Sequence, residues 1–127
     1  MAGKIIADTL EHSTAGSLDT QYVVQGSAKA WINVNGSTAA ARDSLNVSST
    51  DDVATGRFRA NYSSSFSAAT YCPSISGNGR SGNGTIYATS DVLTGSFVLD
   101  YAWNSSSATY TLFDPDTGAC SMFGDLA

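Results

Sequence analysis

Lys29-Ala30-Trp31-Ile32-Asn33-Val34-Asn35-Gly36 and Arg57-Phe58-Arg59-Ala60-Asn61-Tyr62 decide the fold class. In the first stretch Ala30, Ile32 and Val34 fall on one side of an extended chain, Lys29, Trp31 and Asn33 fall on the other, and Asn35-Gly36 is a turn pair. In the second, Phe58, Ala60 and Tyr62 alternate with Arg57, Arg59 and Asn61, after an Asp51-Asp52 loop that Gly56 ends. A period of two with one apolar side predicts strands that rest on a core with one face and meet water with the other.

Working outward, Phe97-Val98-Leu99-Asp100-Tyr101-Ala102-Trp103 puts Phe97, Leu99, Tyr101 and Trp103 on one face. Val98 and Ala102 flank Asp100 on the other, so both faces are expected to be covered and the strand to be central. Further strands are predicted near Leu45–Ser48, Ala69–Ile75, Thr85–Thr89, Thr109–Phe113 and Ala119–Phe123, each bounded by Gly, Asn, Asp or Ser clusters. This spacing fits an all-β sandwich or barrel. Composition agrees, because Ser, Thr and Gly fill more than a third of the chain and Glu11 is its only glutamate.

The 127 residues suit one domain, with 42% hydrophobic and 13% charged residues, a balance that folds. The first 25 or so differ from the rest. Ile5, Ile6, Leu10 and Leu18 are scattered among Asp8, Glu11 and Asp19 without a lasting period. This predicts an extended arm over residues 1–25, packed against something else, and a β-domain over residues 26–127.

The net charge of −5 and the lack of a Lys/Arg cluster argue against nucleic acid and anionic membranes as partners. No apolar run reaches the roughly 20 residues of a membrane span, and the start stops being apolar too soon for a signal-peptide core, which predicts synthesis in a cytoplasm without export. Cys72 and Cys120 lie neither in a C-x-x-C pair nor beside His12, the only histidine, so no zinc site is expected within one chain. They read either as buried small apolar groups or as one disulfide.

Five motifs fail on their context. Gly77-Asn78-Gly79-Arg80-Ser81-Gly82 matches G-x-G-x-x-G, but a strand follows where a phosphate-binding helix would have to begin, so it reads as a hairpin loop. Asp114-Pro115-Asp116-Thr117-Gly118 has the look of a calcium loop without the glutamate at its twelfth position, and reads as a turn. Asp51, Asp52 and Asp100 read as solvated loop acids, and a Ser/His/Asp triad would need His12 from the arm. Asn-x-Ser/Thr patterns at Asn35, Asn46, Asn61, Asn83 and Asn104 follow from composition. No catalysis, metal or cofactor is expected. What remains is surface: Trp31 and Tyr87 on polar strand faces, and amide and guanidinium donors on Asn78, Arg80, Asn83 and Asn104. These suit recognition of a sugar or a protein.

Gly26-Ser27-Ala28-Lys29-Ala30-Trp31-Ile32-Asn33-Val34-Asn35-Gly36, followed by Arg42-Asp43-Ser44-Leu45-Asn46-Val47-Ser48-Ser49, resembles a module found at the ends of bacteriophage tail-fibre and related virion proteins. Such modules read G-S-A-K-A-W-V-N-F-N-G, then I-R-x-S-F-N-V-S-S, a turn, a strand and a closing V-x-V-x-V-F-G. Gly56–Tyr62 stands in the place of the post-turn strand, and Cys120–Gly124 resembles the closing strand. The resemblance spans roughly residues 22–124 and is least specific from Ser63 to Ser107. Ala39-Ala40-Ala41 departs from the usual Gly/Val-rich stretch, and the glycine-rich loop at 77–84 looks particular to this chain.

The resemblance implies an antiparallel β-sandwich knob with an extended arm, assembled as a homotrimer in which Ile5, Ile6, Leu10 and Leu18 meet their copies along the threefold axis. For Trp31 the residues themselves offer burial between subunits as the plainer alternative to a recognition surface. The resemblance also implies a complete small virion component, exposed on the particle, whose knob attaches to a host-surface glycan or protein. Asn78, Arg80, Asn83, Tyr87 and Asn104 are the receptor-binding candidates. The alternative is a decoration or head-fibre protein whose arm lies on the capsid. Its partners would be its own copies and tail, adaptor or capsid proteins.

Overall fold

The computed structural model describes residues 3–78, 85–105 and 109–127, with the side chains of residues 85–90, 103–105 and 109 outside the description. The elements are β1 (Thr9–His12), β2 (Gly16–Asp19), α1 (Thr20–Gly26), β3 (Ala30–Asn35), β4 (Ala40–Leu45), β5 (Val47–Ala54), β6 (Arg57–Tyr62), β7 (Cys72–Gly77), β8 (Thr85–Val92), β9 (Ser96–Ser105), β10 (Thr109–Leu112) and β11 (Gly118–Phe123). The protein is all-β apart from one short helix among the described residues.

Every pairing between the described strands is antiparallel. One sheet runs β4-β3-β11-β7, and a second runs β10-β9-β6-β5 with β8 also on β9. The alternation seen in the sequence sets which residues go inward. Ala30, Ile32 and Val34 from β3, with Cys120 and Met122 from β11, join Phe58, Ala60 and Tyr62 from β6 and Phe97, Leu99 and Tyr101 from β9 in one buried cluster. Both sheets thus spend their apolar faces on the same core. β9 is central, as its two covered faces predict: Val98 and Ala102 are buried on the side opposite Phe97, Leu99 and Tyr101.

The core closes at one end with aromatic residues that no periodicity announces. Phe66 and Tyr71 come from the loop between β6 and β7 and stack with ring centroids 4.3 Å apart, while Tyr62 meets Phe66 edge-on at 5.0 Å. The Tyr62 hydroxyl donates to that of Tyr71 at 3.1 Å, and Tyr71 lies 3.1 Å from the carbonyls of both Leu93 and Ser96. Burial pushes both phenols above the ordinary tyrosine range.

Three sequence expectations need correction. The strand expected near Leu45–Ser48 is a corner between β4 and β5, which belong to different sheets. Asn46 turns it at φ 56, a left-handed conformation asparagine tolerates, and its amide group bonds both the carbonyl and the N–H of Ser64. Asp51 and Asp52 sit within β5 and not in a loop; Asp51 stands opposite Arg59 in register and accepts from Asn61 Nδ2 at 3.0 Å. Asp100 is no solvated loop acid either: it lies on β9 opposite Arg57, which donates to it from two nitrogens.

The arm is also not extended. β1 and β2 form a hairpin whose turn is closed by His12 Nδ1, which accepts from the backbone amides of Thr14 at 3.3 Å and Ala15 at 3.1 Å. Thr20 Oγ1, at the start of α1, donates to the carbonyl of Ala7 at 2.6 Å. Hydrogen bonds to the backbone make this shape, which is why side-chain periodicity does not reveal it. Lys29 Nζ donates to the carbonyl of Val24, where the segment joins β3.

Cys72 and Cys120 stand on neighbouring strands but on opposite faces of their sheet. Cys120 is opposite Ile75 and buried, and Cys72 is opposite Phe123 and exposed. Both thiols are free, so of the two sequence readings the disulfide falls and the burial of both holds only for Cys120. Burial lifts the Cys120 thiol to about 12.

Candidate functional site

Among the described residues, the end of the molecule where β9 changes partners carries a dense polar construction. β9 pairs with β6 as far as Asp100, opposite Arg57, and with β10 from Ala102, opposite Leu112. Tyr101 stands between the two partners. Its N–H donates to the Gly56 carbonyl at 2.8 Å, and its carbonyl accepts from Phe113 N–H at 3.1 Å. Gly56 has φ +69, and a Cβ there would sit 2.7 Å from the Phe113 nitrogen and the Tyr101 oxygen, so only glycine lets the two chains meet.

From this junction residues 112–118 turn across the end of the fold, and each step is fastened to another element. Asp114 Oδ1 accepts from Gly56 N–H at 2.6 Å. The carbonyl of buried Pro115 accepts from Gly36 N–H at 2.9 Å. Arg42 donates from Nη2 to the Asp116 carbonyl at 2.7 Å and from Nη1 to Thr117 Oγ1 at 2.6 Å. Asn78 grips Thr117 twice, donating its N–H to the Thr117 carbonyl at 3.0 Å and accepting Thr117 N–H on Oδ1 at 2.8 Å. The Asp-Pro-Asp-Thr-Gly run is therefore a turn, as read, but one held by four separate strands and loops. Beside it opens a cleft of about 500 Å³ lined by Thr55, Asn78, Leu112, Phe113, Asp114, Pro115 and Asp116.

No protein-family model, curated protein or solved structure matches the chain.

The sequence candidates divide accordingly. Asn78 lines the cleft. Tyr87 stands on β8 opposite Tyr101, and Asn104 on β9 opposite Tyr110. Arg80 and Asn83 lie outside the described residues, as does most of the Gly77–Gly82 motif. Missed from sequence were Thr55, Phe113, Asp114 and Asp116; the dense Asp-Pro-Asp run was their one signal. Among the described residues no group of three or more His, Cys, Asp or Glu side chains is placed to hold a metal ion.

The second distinctive surface is the N-terminal segment. Ile5 and Ile6 are 91% and 82% exposed, and Leu10 and Leu18 are each about half exposed. Val23 and Val24 of α1 join Ile5, Ile6 and Leu10 around a shallow apolar groove. Trp31 does not belong to this surface: it is half-buried on the outward face of β3, between Leu45 and Ser121 in register.

Proposed function

We propose that this chain is a bacteriophage virion component, a short fibre or spike whose β-domain serves as a sandwich-like knob for attachment to the host surface, without catalysis. The observation that carries this reading is the contrast between the two parts. The β-domain closes a core of its own from both sheets, whereas residues 5–24 display six large aliphatic side chains that this chain leaves exposed. A knob on an apolar anchor has this division of labour. Burying such side chains against copies of themselves contributes on the order of 1.5–3 kcal/mol each, enough for three N-terminal segments to fasten a homotrimer.

The resemblance of residues 22–124 to fibre modules supports the same reading, and so does an acidic surface that suits neither nucleic acid nor anionic lipid. Attachment needs only weak single sites, since three knobs per fibre and several fibres per particle multiply the effective concentration. The partners are then other copies, a tail or adaptor protein, and a glycan or protein of the host envelope.

Antibody labelling of intact particles tests the placement. Label at fibre or spike tips is expected. Label spread evenly over the head would replace the fibre reading with capsid decoration, in which the apolar N-terminal face lies on the shell.

A further inference from the structure

We infer that the cleft beside residues 112–116 is a binding subsite for a neutral saccharide; this rests on the attachment reading and names its ligand class. The volume of about 500 Å³ falls in the range of small-ligand sites. Its lining combines the two kinds of surface a sugar ring needs. Leu112 and Phe113 offer apolar contact for C–H faces, and Thr55, Asn78, Asp114 and Asp116 offer hydrogen-bonding groups for hydroxyls.

Two of these polar side chains, Asp114 and Asn78, are held in place before any ligand arrives. With Asp114 Oδ1 occupied by Gly56 N–H, its Oδ2 has no partner among the described residues and can accept from a hydroxyl. With Asn78 Oδ1 occupied by Thr117 N–H, its Nδ2 has no partner among the described residues and can donate. The Arg42 bonds to Thr117 Oγ1 and the Asp116 carbonyl fix the turn. A site whose side chains are locked by a supporting layer of hydrogen bonds loses little conformational entropy on binding.

Charge selects the class. Two carboxylates line the cleft, and among the described residues neither is in a salt bridge: Arg57 pairs with Asp100, Arg59 lies 3.9 Å from Asp51, and Arg42 meets the turn through the Asp116 carbonyl and Thr117 Oγ1 and not through a carboxylate. A uronic or sialic acid would bring a like charge beside them, whereas neutral hydroxyls donate to them.

The test is titration of the isotope-labelled full chain with galactose, N-acetylglucosamine and glucuronic acid, read by backbone amide chemical shifts. Saturable shifts at Thr55, Gly56, Asn78, Leu112, Phe113, Asp114 and Asp116 are expected with at least one neutral sugar, and binding of glucuronic acid at least about tenfold weaker. Asp116→Asn, whose side chain supports no hydrogen bond among the described residues, should weaken the neutral sugar several-fold and leave distant amides in place. Shifts elsewhere only, no saturable shifts, or equal binding of glucuronic acid would overturn the inference. The attachment reading fails separately: if the protein blocks phage adsorption and Asp116→Asn blocks equally well, the cleft is not the receptor site but attachment stands. If neither form blocks, attachment falls while the sugar titration still decides the cleft.

Discussion

Arg57 and Asp100 face each other across β6 and β9, with Nε 2.7 Å from Oδ1 and Nη2 2.9 Å from Oδ2. This two-pronged pair lies on the face opposite the core, one residue before β9 exchanges β6 for β10. The hydrogen bond and the charge of Asp100 raise the Arg57 guanidinium above its ordinary range. Position and geometry make it a register lock for the strand junction that shapes the cleft.

That role predicts coupling. Arg57→Met and Asp100→Asn should each lower the denaturant midpoint, and the double variant should lose less than the sum of the two, because the partner left behind is no longer stranded. Strict additivity in chemical denaturation would show that the pair does not act as a unit.

Gly56→Ala should destabilise the fold by about 1–3 kcal/mol, through both its positive φ and the crowding of Phe113 and Tyr101. Amide hydrogen exchange should rise first at Tyr101 and Phe113, whose N–H groups bond across this junction.

Tyr62 and Tyr71 predict loss of stability in alkali. Burial raises both phenols in the folded state, so folding favours the neutral forms. Their contribution is fully present below the unfolded tyrosine value of about 10 and is lost as pH rises above it. Denaturant midpoints measured up the alkaline range should therefore fall above about pH 10. Tyr62→Phe should flatten that fall while costing about 1 kcal/mol at neutral pH for the lost hydrogen bond.

The cysteines should differ sharply toward a thiol reagent. Exposed Cys72 is expected to react in the native protein, and Cys120, buried and raised to about 12, only on unfolding. Mass spectrometry after labelling with and without denaturant distinguishes one modified thiol from two.

What the sequence revealed follows from where each residue's constraint lies. β3, β6 and β9 were legible because their inward residues alternate with polar ones at a period that only a half-buried strand imposes. β5 was not, since its outward side is carried by Ser49, Asp51 and their partners Asn61 and Arg59 on β6, and charge pairing across an edge leaves no apolar pattern. Phe66 and Tyr71 enter the core from a loop. At the cleft, Asn78 was legible as a polar loop residue, but Thr55, Phe113 and Asp114 are brought together only when β9 switches partners, a tertiary event without a local signature.

The apolar N-terminal face predicts self-association. The chain should sediment as a trimer, and Ile5→Asp combined with Leu10→Asp should yield folded monomers with an unchanged β-domain spectrum. A monomeric parent chain would remove avidity from the account.

Attachment itself is tested most directly by adsorption competition, in which host cells are preincubated with purified protein and free phage is counted over the following minutes. Saturable blocking by the parent chain, lost in the Ile5→Asp, Leu10→Asp variant, is the predicted result. Undiminished adsorption at saturating amounts of folded protein would contradict it.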